Sequence, residues 1–387
     1  MTGRRLRVLF VNTGIMGHGT AARLIADAVR VDPAIEAAHV DLSAGIGVAE
    51  RIVRRVLALG PRPGTRAGAA TAARFRHELD SGIRAARRIR ALERREGRFD
   101  VIHFHTQAAA WASLRRMRQT PSIVSIDATQ HLLSLNHAPG PLRRDYVAGA
   151  ARDRRAFAAA AAIVATSRWA ASDVARDQPA LASRLRVLPY PVRVENFDAA
   201  WIDERRERGA DEPVRVLFIG GLFGEKGGPE LLDAWRAAAF GARAELVIVT
   251  DSAAVDEAAL PAGVTLRRGV RAYTPEWREL WRRADVFAMP TRVDAFGIVY
   301  QEAAAAGLPS IGTTINAVPE LVIEGETGVL VPPGDVPSLV AALRRLVDDA
   351  ALRHAMGTAA RRRIEAEGSV EAYGRALTAL IREVARG

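Results

Sequence analysis

The 387-residue sequence has no cysteine, which excludes a disulfide framework, a thiolate nucleophile and any cysteine-bound zinc, and fits a reducing cytoplasm. Long hydrophobic runs are also missing. The longest uncharged stretch, Ala303 to Pro319, has 17 residues and is broken by prolines, glycines and an asparagine. Spanning a bilayer takes about 20 mostly apolar residues, so this stretch reads as buried helix, strand and loop, and no membrane span is expected. The opening MTGRRLRVLFVNTG passes from arginines straight into a strand-like run, without the apolar region of a signal peptide. Aromatics make up only 6% of the chain. The 49% apolar content is that of a soluble globular protein and excludes disordered or fibrous classes. At about 100–200 residues per domain, the length predicts two domains.

Lysine is almost absent. The 55 basic residues comprise 54 arginines and Lys226, which lies in a glycine-rich loop. A compact ammonium among backbone N–H groups suits phosphate, where a planar guanidinium fits less easily. Basic charge is also uneven. Residues 51–99 hold 14 arginines against four acidic residues, a local excess of ten that accounts for nearly all of the formal +11. That segment suits an anionic membrane surface or a phosphorylated acceptor. Few aromatics interleave with its arginines, so no nucleic-acid partner is expected. A solvated arginine-rich helix is the plain alternative.

One organisation occurs twice. Arg7 to Val11 reads as a buried strand followed by a glycine loop (Gly14, Gly17, Gly19) and a helix from about Ala21 to Arg30. Val214 to Ile219 repeats the strand, Gly220 to Gly228 the loop, and a helix follows from Pro229. Further short apolar runs at 101–104, 122–126, 162–165, 246–250, 265–267, 286–289, 310–312 and 328–331 alternate with helical stretches. This predicts βαβ units and parallel sheets covered on both faces: an α/β chain of two Rossmann-like, doubly wound domains. The expected division is 1–190, a linker at 191–210 around the prolines of Leu188 to Phe197, 211–368, and a C-terminal helix at 369–387.

The first loop reads G-x-x-G-x-G, not the G-x-G-x-x-G of nicotinamide and flavin binders, and Gly227 follows Lys226 where a P-loop has serine or threonine. The stronger pattern is PTRVDAFGIVYQEAAAAGLPSIGTTINAVPELVIEGETGVLV, residues 290–331. Asp294 and Glu302 flank a helix start near Phe296, whose free N–H groups and dipole suit pyrophosphate oxygens. A carboxylate facing the ligand accepts hydrogen bonds from vicinal hydroxyls of a ribose or sugar ring. An N-capping aspartate and a packed glutamate are the alternative reading.

At these residues the chain resembles the retaining family-4 glycosyltransferases of the GT-B fold, whose two domains face a cleft. Their E-x7-E region corresponds to Asp294, Phe296-Gly297, Glu302-Ala303, Gly307-Leu-Pro309, Pro319-Glu320 and Gly325 to Val331, and their lysine–glycine phosphate loop to Glu225-Lys226-Gly227. The resemblance implies that Glu302 binds the donor's ribose and Asp294 the sugar hydroxyls. Lys226 would neutralise the departing diphosphate, assisted by the backbone of Phe296, Gly297, Ile298 and Val299. It implies an acceptor-binding first domain, where Val101 to Thr106 matches a strand ending in a histidine near the reacting carbon. His105 is the candidate; period-2 alternation puts His103 on the same face. Gly17 and Gly221 fall in the two donor-side loops. Gly221 stands where many members have arginine, and Arg292 is the candidate substitute. Asn316-Ala317 replaces a frequent Gly-Gly.

Glycosyl transfer needs few covalent groups, and the sequence shows no Asp-x-Asp metal cluster, so neither metal nor cofactor is expected. The activity implied is retaining transfer from a UDP- or GDP-sugar to a lipid, lipid-linked or polysaccharide hydroxyl, by an enzyme peripheral to the inner face of the plasma membrane. The rivals are transfer to a soluble small molecule and sugar-nucleotide epimerisation on the same fold.

Overall fold

Central strands buried on both faces need uninterrupted apolar runs, and the chain supplies them in two sets. The computed structural model describes residues 4–13, 18–30, 32–42, 73–137, 139–207 and 212–387. Its first unit comprises Met1–Pro191 with Val370–Gly387, and its second Val192–Ser369. In the first, β1 (Leu6–Asn12), β2 (Ile35–Asp41), β3 (Val101–Phe104), β4 (Ser122–Ile126), β5 (Ala162–Ala165) and β6 (Leu185–Val187) form a parallel sheet in the order β2-β1-β3-β4-β5-β6. Every residue of β3, β4 and β5 is buried. In the second, β7 (Val214–Ile219), β8 (Ala244–Val249), β9 (Val264–Arg267), β10 (Val286–Ala288), β11 (Ser310–Thr313) and β12 (Gly328–Val331) run in the order β12-β11-β10-β7-β8-β9, again all parallel. The doubly wound α/β class holds for both units. The strands β2 and β6, both at the edges of the first sheet, lie outside the expected runs.

Residues after Pro191 join the second unit. Phe197 and Trp201 are buried in its core, and Trp201 belongs to the helix Ala200–Glu207. The C-terminal helix Val370–Arg386 instead packs on His18–Arg30, so closely that a Cβ on Gly374 would lie 2.6 Å from the Ala28 carbonyl oxygen.

Each sheet has a topological switch, where the winding reverses across the first strand. In open α/β sheets, ligands bind outside the carboxyl ends of the strands at such points. In the second unit the switch lies between β7 and β10. An aromatic chain supports it from below: Trp281 stands 5.5 Å from Phe287 on β10, and Phe287 stands 5.6 Å from Tyr300. The Tyr300 hydroxyl donates to the Met289 carbonyl, tying the helix Ile298–Ala305 to the end of β10.

Trp281 is fully buried. Trp281→Ala should therefore cost about 3–5 kcal/mol, read as a lower urea midpoint with an unchanged slope. A loss below about 1 kcal/mol would show that the aromatic chain does not support the switch.

Candidate active site

Two loops leave the switch in the second unit, one after β7 and one after β10, and backbone contact locks them together. Gly227 has φ +76°, and a Cβ there would lie 1.9 Å from the Pro290 carbonyl oxygen, so only glycine lets the loops approach this closely. The Glu225 carbonyl accepts from Arg292 N at 2.8 Å, from Val293 N at 3.3 Å and from Thr291 Oγ1 at 3.1 Å. Across this seam Lys226 Nζ donates to Asp294 Oδ2 at 2.7 Å and to the Val293 carbonyl at 3.1 Å. The two side chains keep 20% and 14% exposure, enough for a ligand to reach both.

Asp294 is held from three sides. Besides Lys226, Phe296 N donates to its Oδ1 at 3.3 Å, and Asn316 Nδ2 donates to its carbonyl at 2.7 Å. Asn316 adopts φ +49°, the left-handed region for which glycine would be the usual choice. Gly297, with φ +88°, caps the helix that follows. The helix therefore begins at Ile298, two residues beyond the expected start at Phe296, because the left-handed glycine separates Phe296 from the helical run. Phe296 is buried; Ile298 and Val299 are half-buried on the first turn. One turn further, Glu302 is buried, with Tyr273 Oη donating to its Oε1 at 3.3 Å. Burial raises its carboxyl to about 8, partly opposed by the tyrosine hydrogen bond.

The remaining candidates separate. Arg292 is half-exposed and its guanidinium pairs with the buried carboxylate of Glu230, in the first turn of the helix Gly228–Ala238. Gly221 is exposed, and a Cβ there would meet nothing within 4 Å, so the loop has room for a larger side chain. Gly17 lies outside the described residues, as do residues 51–72 of the basic segment. In the first unit, His105 directly follows β3 at that unit's own switch, its N–H bonded to the Val11 carbonyl at 2.9 Å. Its ring is buried, 5.8 Å from Tyr190 and 6.4 Å from His103, so the two histidines do share a face. His103 Nε2 shares a 2.7 Å hydrogen bond with Ser125 Oγ, and burial lowers its pKa to about 4, which keeps it neutral. Among the described residues no three histidine or carboxylate side chains come together as metal ligands.

Sequence reasoning did not find Tyr273 or Glu230, which belong to no motif, and it passed over Thr291 inside the 290–331 pattern, since each acts through a partner far along the chain.

A family model described as glycosyl transferases group 1 matches residues 213–349, and one described as Glycosyltransferase Family 4 matches residues 49–196. A D-inositol 3-phosphate glycosyltransferase of Xylanimonas cellulosilytica is 30% identical over 291 residues, 69% of this chain and 68% of that protein. The chain belongs to the family-4 glycosyltransferases. Over a shorter stretch of 110 residues, 27% of this chain and 29% of the relative, it is 43% identical to a GDP-mannose-dependent monoacylated alpha-(1-6)-phosphatidylinositol monomannoside mannosyltransferase of Corynebacterium glutamicum. Among solved structures, a sucrose-phosphate synthase from Thermosynechococcus elongatus superposes with a TM-score of 0.74 at 18% identity, covering 98% of this chain and 99% of that one. This glycosyltransferase accordingly has the GT-B fold.

Raising the Glu302 pKa has a signed consequence. The folded state binds a proton that the unfolded chain has released, so the favourable contribution is complete below about 4.5 and is lost as pH rises through about 8. Relative to the isosteric Glu302→Gln, the wild type should lose stability between pH 5 and 8 and level off above. Parallel pH profiles of the two unfolding free energies would contradict this.

Proposed function

We propose that this glycosyltransferase moves a sugar, with retention of anomeric configuration, from a nucleoside-diphosphate sugar to a hydroxyl of a lipid, lipid-linked or polysaccharide acceptor at a membrane surface. The observation carrying the donor half is the Lys226–Asp294 pair across the β7/β10 switch, with buried Glu302 one turn into the helix that follows Asp294. In this reading Glu302 receives the ribose hydroxyls and Asp294 the sugar hydroxyls. Lys226 transfers its attraction from Asp294 to the diphosphate. The N-terminus of the helix Ile298–Ala305 adds backbone N–H groups and its positive dipole end. Gly221 leaves the first loop open beside them, while Arg292, engaged by Glu230, is a poor substitute for the arginine absent there.

The C1–O bond to the diphosphate breaks through an oxocarbenium-like state and its electron pair passes to the phosphate. Preorganised cations aimed at that charge are typically the largest catalytic contribution. The acceptor oxygen bonds to C1 from the same face and gives its proton to the departing phosphate, with His105 on the acceptor side.

The acceptor half rests on charge and on the Corynebacterium glutamicum relative, named as a monoacylated phosphatidylinositol monomannoside mannosyltransferase. Within the described part of the basic segment, the helix Ala73–Glu96 carries exposed Arg87, Arg90 and Arg94 at i, i+3 and i+7, along one face. Such a face suits an anionic lipid surface. No described helix is long and apolar enough to cross a membrane.

A thermal-shift panel with UDP, GDP, ADP and NAD tests the donor. Ligand at 100 times its dissociation constant adds about 2.7 kcal/mol, a shift of a few degrees. One nucleoside diphosphate should shift the wild type; a shift with NAD alone would overturn the reading. Lys226→Ala should fold normally and lose roughly 10²–10³-fold in turnover. Product analysis showing epimerised nucleotide sugar without transfer would favour the rival activity.

A further inference from the structure

The loop between β9 and the helix Pro275–Arg283 holds one side chain in an unusual way. Tyr273 has φ +68°, a left-handed conformation that bulky residues rarely adopt. The loop around it is firmly built. Gly269 N donates to Asp251 Oδ1 at 2.7 Å, and Arg268 donates to the Ser252 and Val255 carbonyls at 2.9 Å each. Thr274 caps the following helix, accepting from Trp277 N at 3.3 Å. The Tyr273 ring packs 4.9 Å from that of Trp277. This scaffold forces the backbone and aims the phenol away from its own segment, so that Oη reaches Glu302 Oε1 at 3.3 Å on a separate helix.

A buried carboxyl without a partner turns freely about its last torsion, and a ligand that needs one orientation must first select it. Among the described residues, Tyr273 is the protein donor to the Glu302 carboxyl, and it engages one oxygen only. Oε2 is left to bond to a ligand. Strained backbone held by surrounding structure recurs where a site needs a group pre-set. We propose that Tyr273 is a positioning residue of the donor site, its hydroxyl fixing the Glu302 carboxyl so that Oε2 faces the vicinal ribose hydroxyls of the nucleotide. The inference rests on the reading of Glu302 as the ribose acceptor.

Calorimetric titration of the full chain with UDP, GDP and ADP, and with the 2′,3′-dideoxy form of whichever binds, tests it. Tyr273→Phe keeps the ring against Trp277 and removes only the hydroxyl. Tyr273→Gly suits the left-handed backbone and serves as a second variant. Both should bind the ribonucleotide about five- to tenfold more weakly than wild type and leave the dideoxy nucleotide unchanged. A merely structural role would weaken both nucleotides alike, and that outcome, or wild-type affinity in both variants, overturns the proposal. Glu302→Ala separates the two layers. If it keeps the full preference for ribose over dideoxyribose, the reading of Glu302 itself fails. If it loses that preference while Tyr273→Phe keeps it, only the role of Tyr273 fails. Absence of binding by the wild type to any of the three removes both.

Discussion

The contact of Gly227 against the Pro290 carbonyl is the constraint on which the candidate site depends. It brings two loops from adjacent parallel strands to backbone distance, and three hydrogen bonds converging on the Glu225 carbonyl then hold them in register. Once that seam exists, Lys226 and Asp294 face each other across it. A carbonyl oxygen satisfied three times over is hard to move, so the backbone from which the Lys226 stem rises is fixed beside Asp294. Ordinary side-chain packing would allow a loop to drift by an ångström; a glycine pressed on a carbonyl does not.

Much of this was readable in advance, and the reason is physical. Strands buried on both faces must be mostly apolar, so the central β3, β4 and β5 stand out in a linear reading. The edges do not have to be. β2 mixes glutamate, histidine and aspartate with its apolar residues, and β6 has three residues, one an arginine. Local chemistry was legible in the same sense: a lysine between glycines, an acid before Phe-Gly, a glutamate one turn into a helix. What joins elements was not. Tyr273 and Glu302 are 29 positions apart, and Lys226 and Asp294 are 68 apart. No periodicity relates such pairs; only the winding order of the sheet brings them together.

Counting charge along the chain has the same blind spot. Arg84 contributes to the basic excess, yet it is buried, paired with Asp80 at 2.9 Å and donating to the Leu42 carbonyl at 2.8 Å. Arg116 is likewise absorbed by Glu93. The outward face of the helix Ala73–Glu96 remains strongly positive, but through a subset of its arginines and in a definite line along one side. A formal sum gives the size of the field, whereas the fold decides which guanidinium groups contribute to it.

Substituting arginine for nearly every lysine also changes what the molecule offers to electrophiles. Guanidinium groups resist acylation at neutral pH, so the side-chain amine of Lys226 stands alone among 55 basic residues. That amine is part-covered and paired with Asp294. Mild amine acylation therefore has one internal target. Its extent, read on the peptide that carries Lys226, reports how far Asp294 and the seam between the two loops cover that amine.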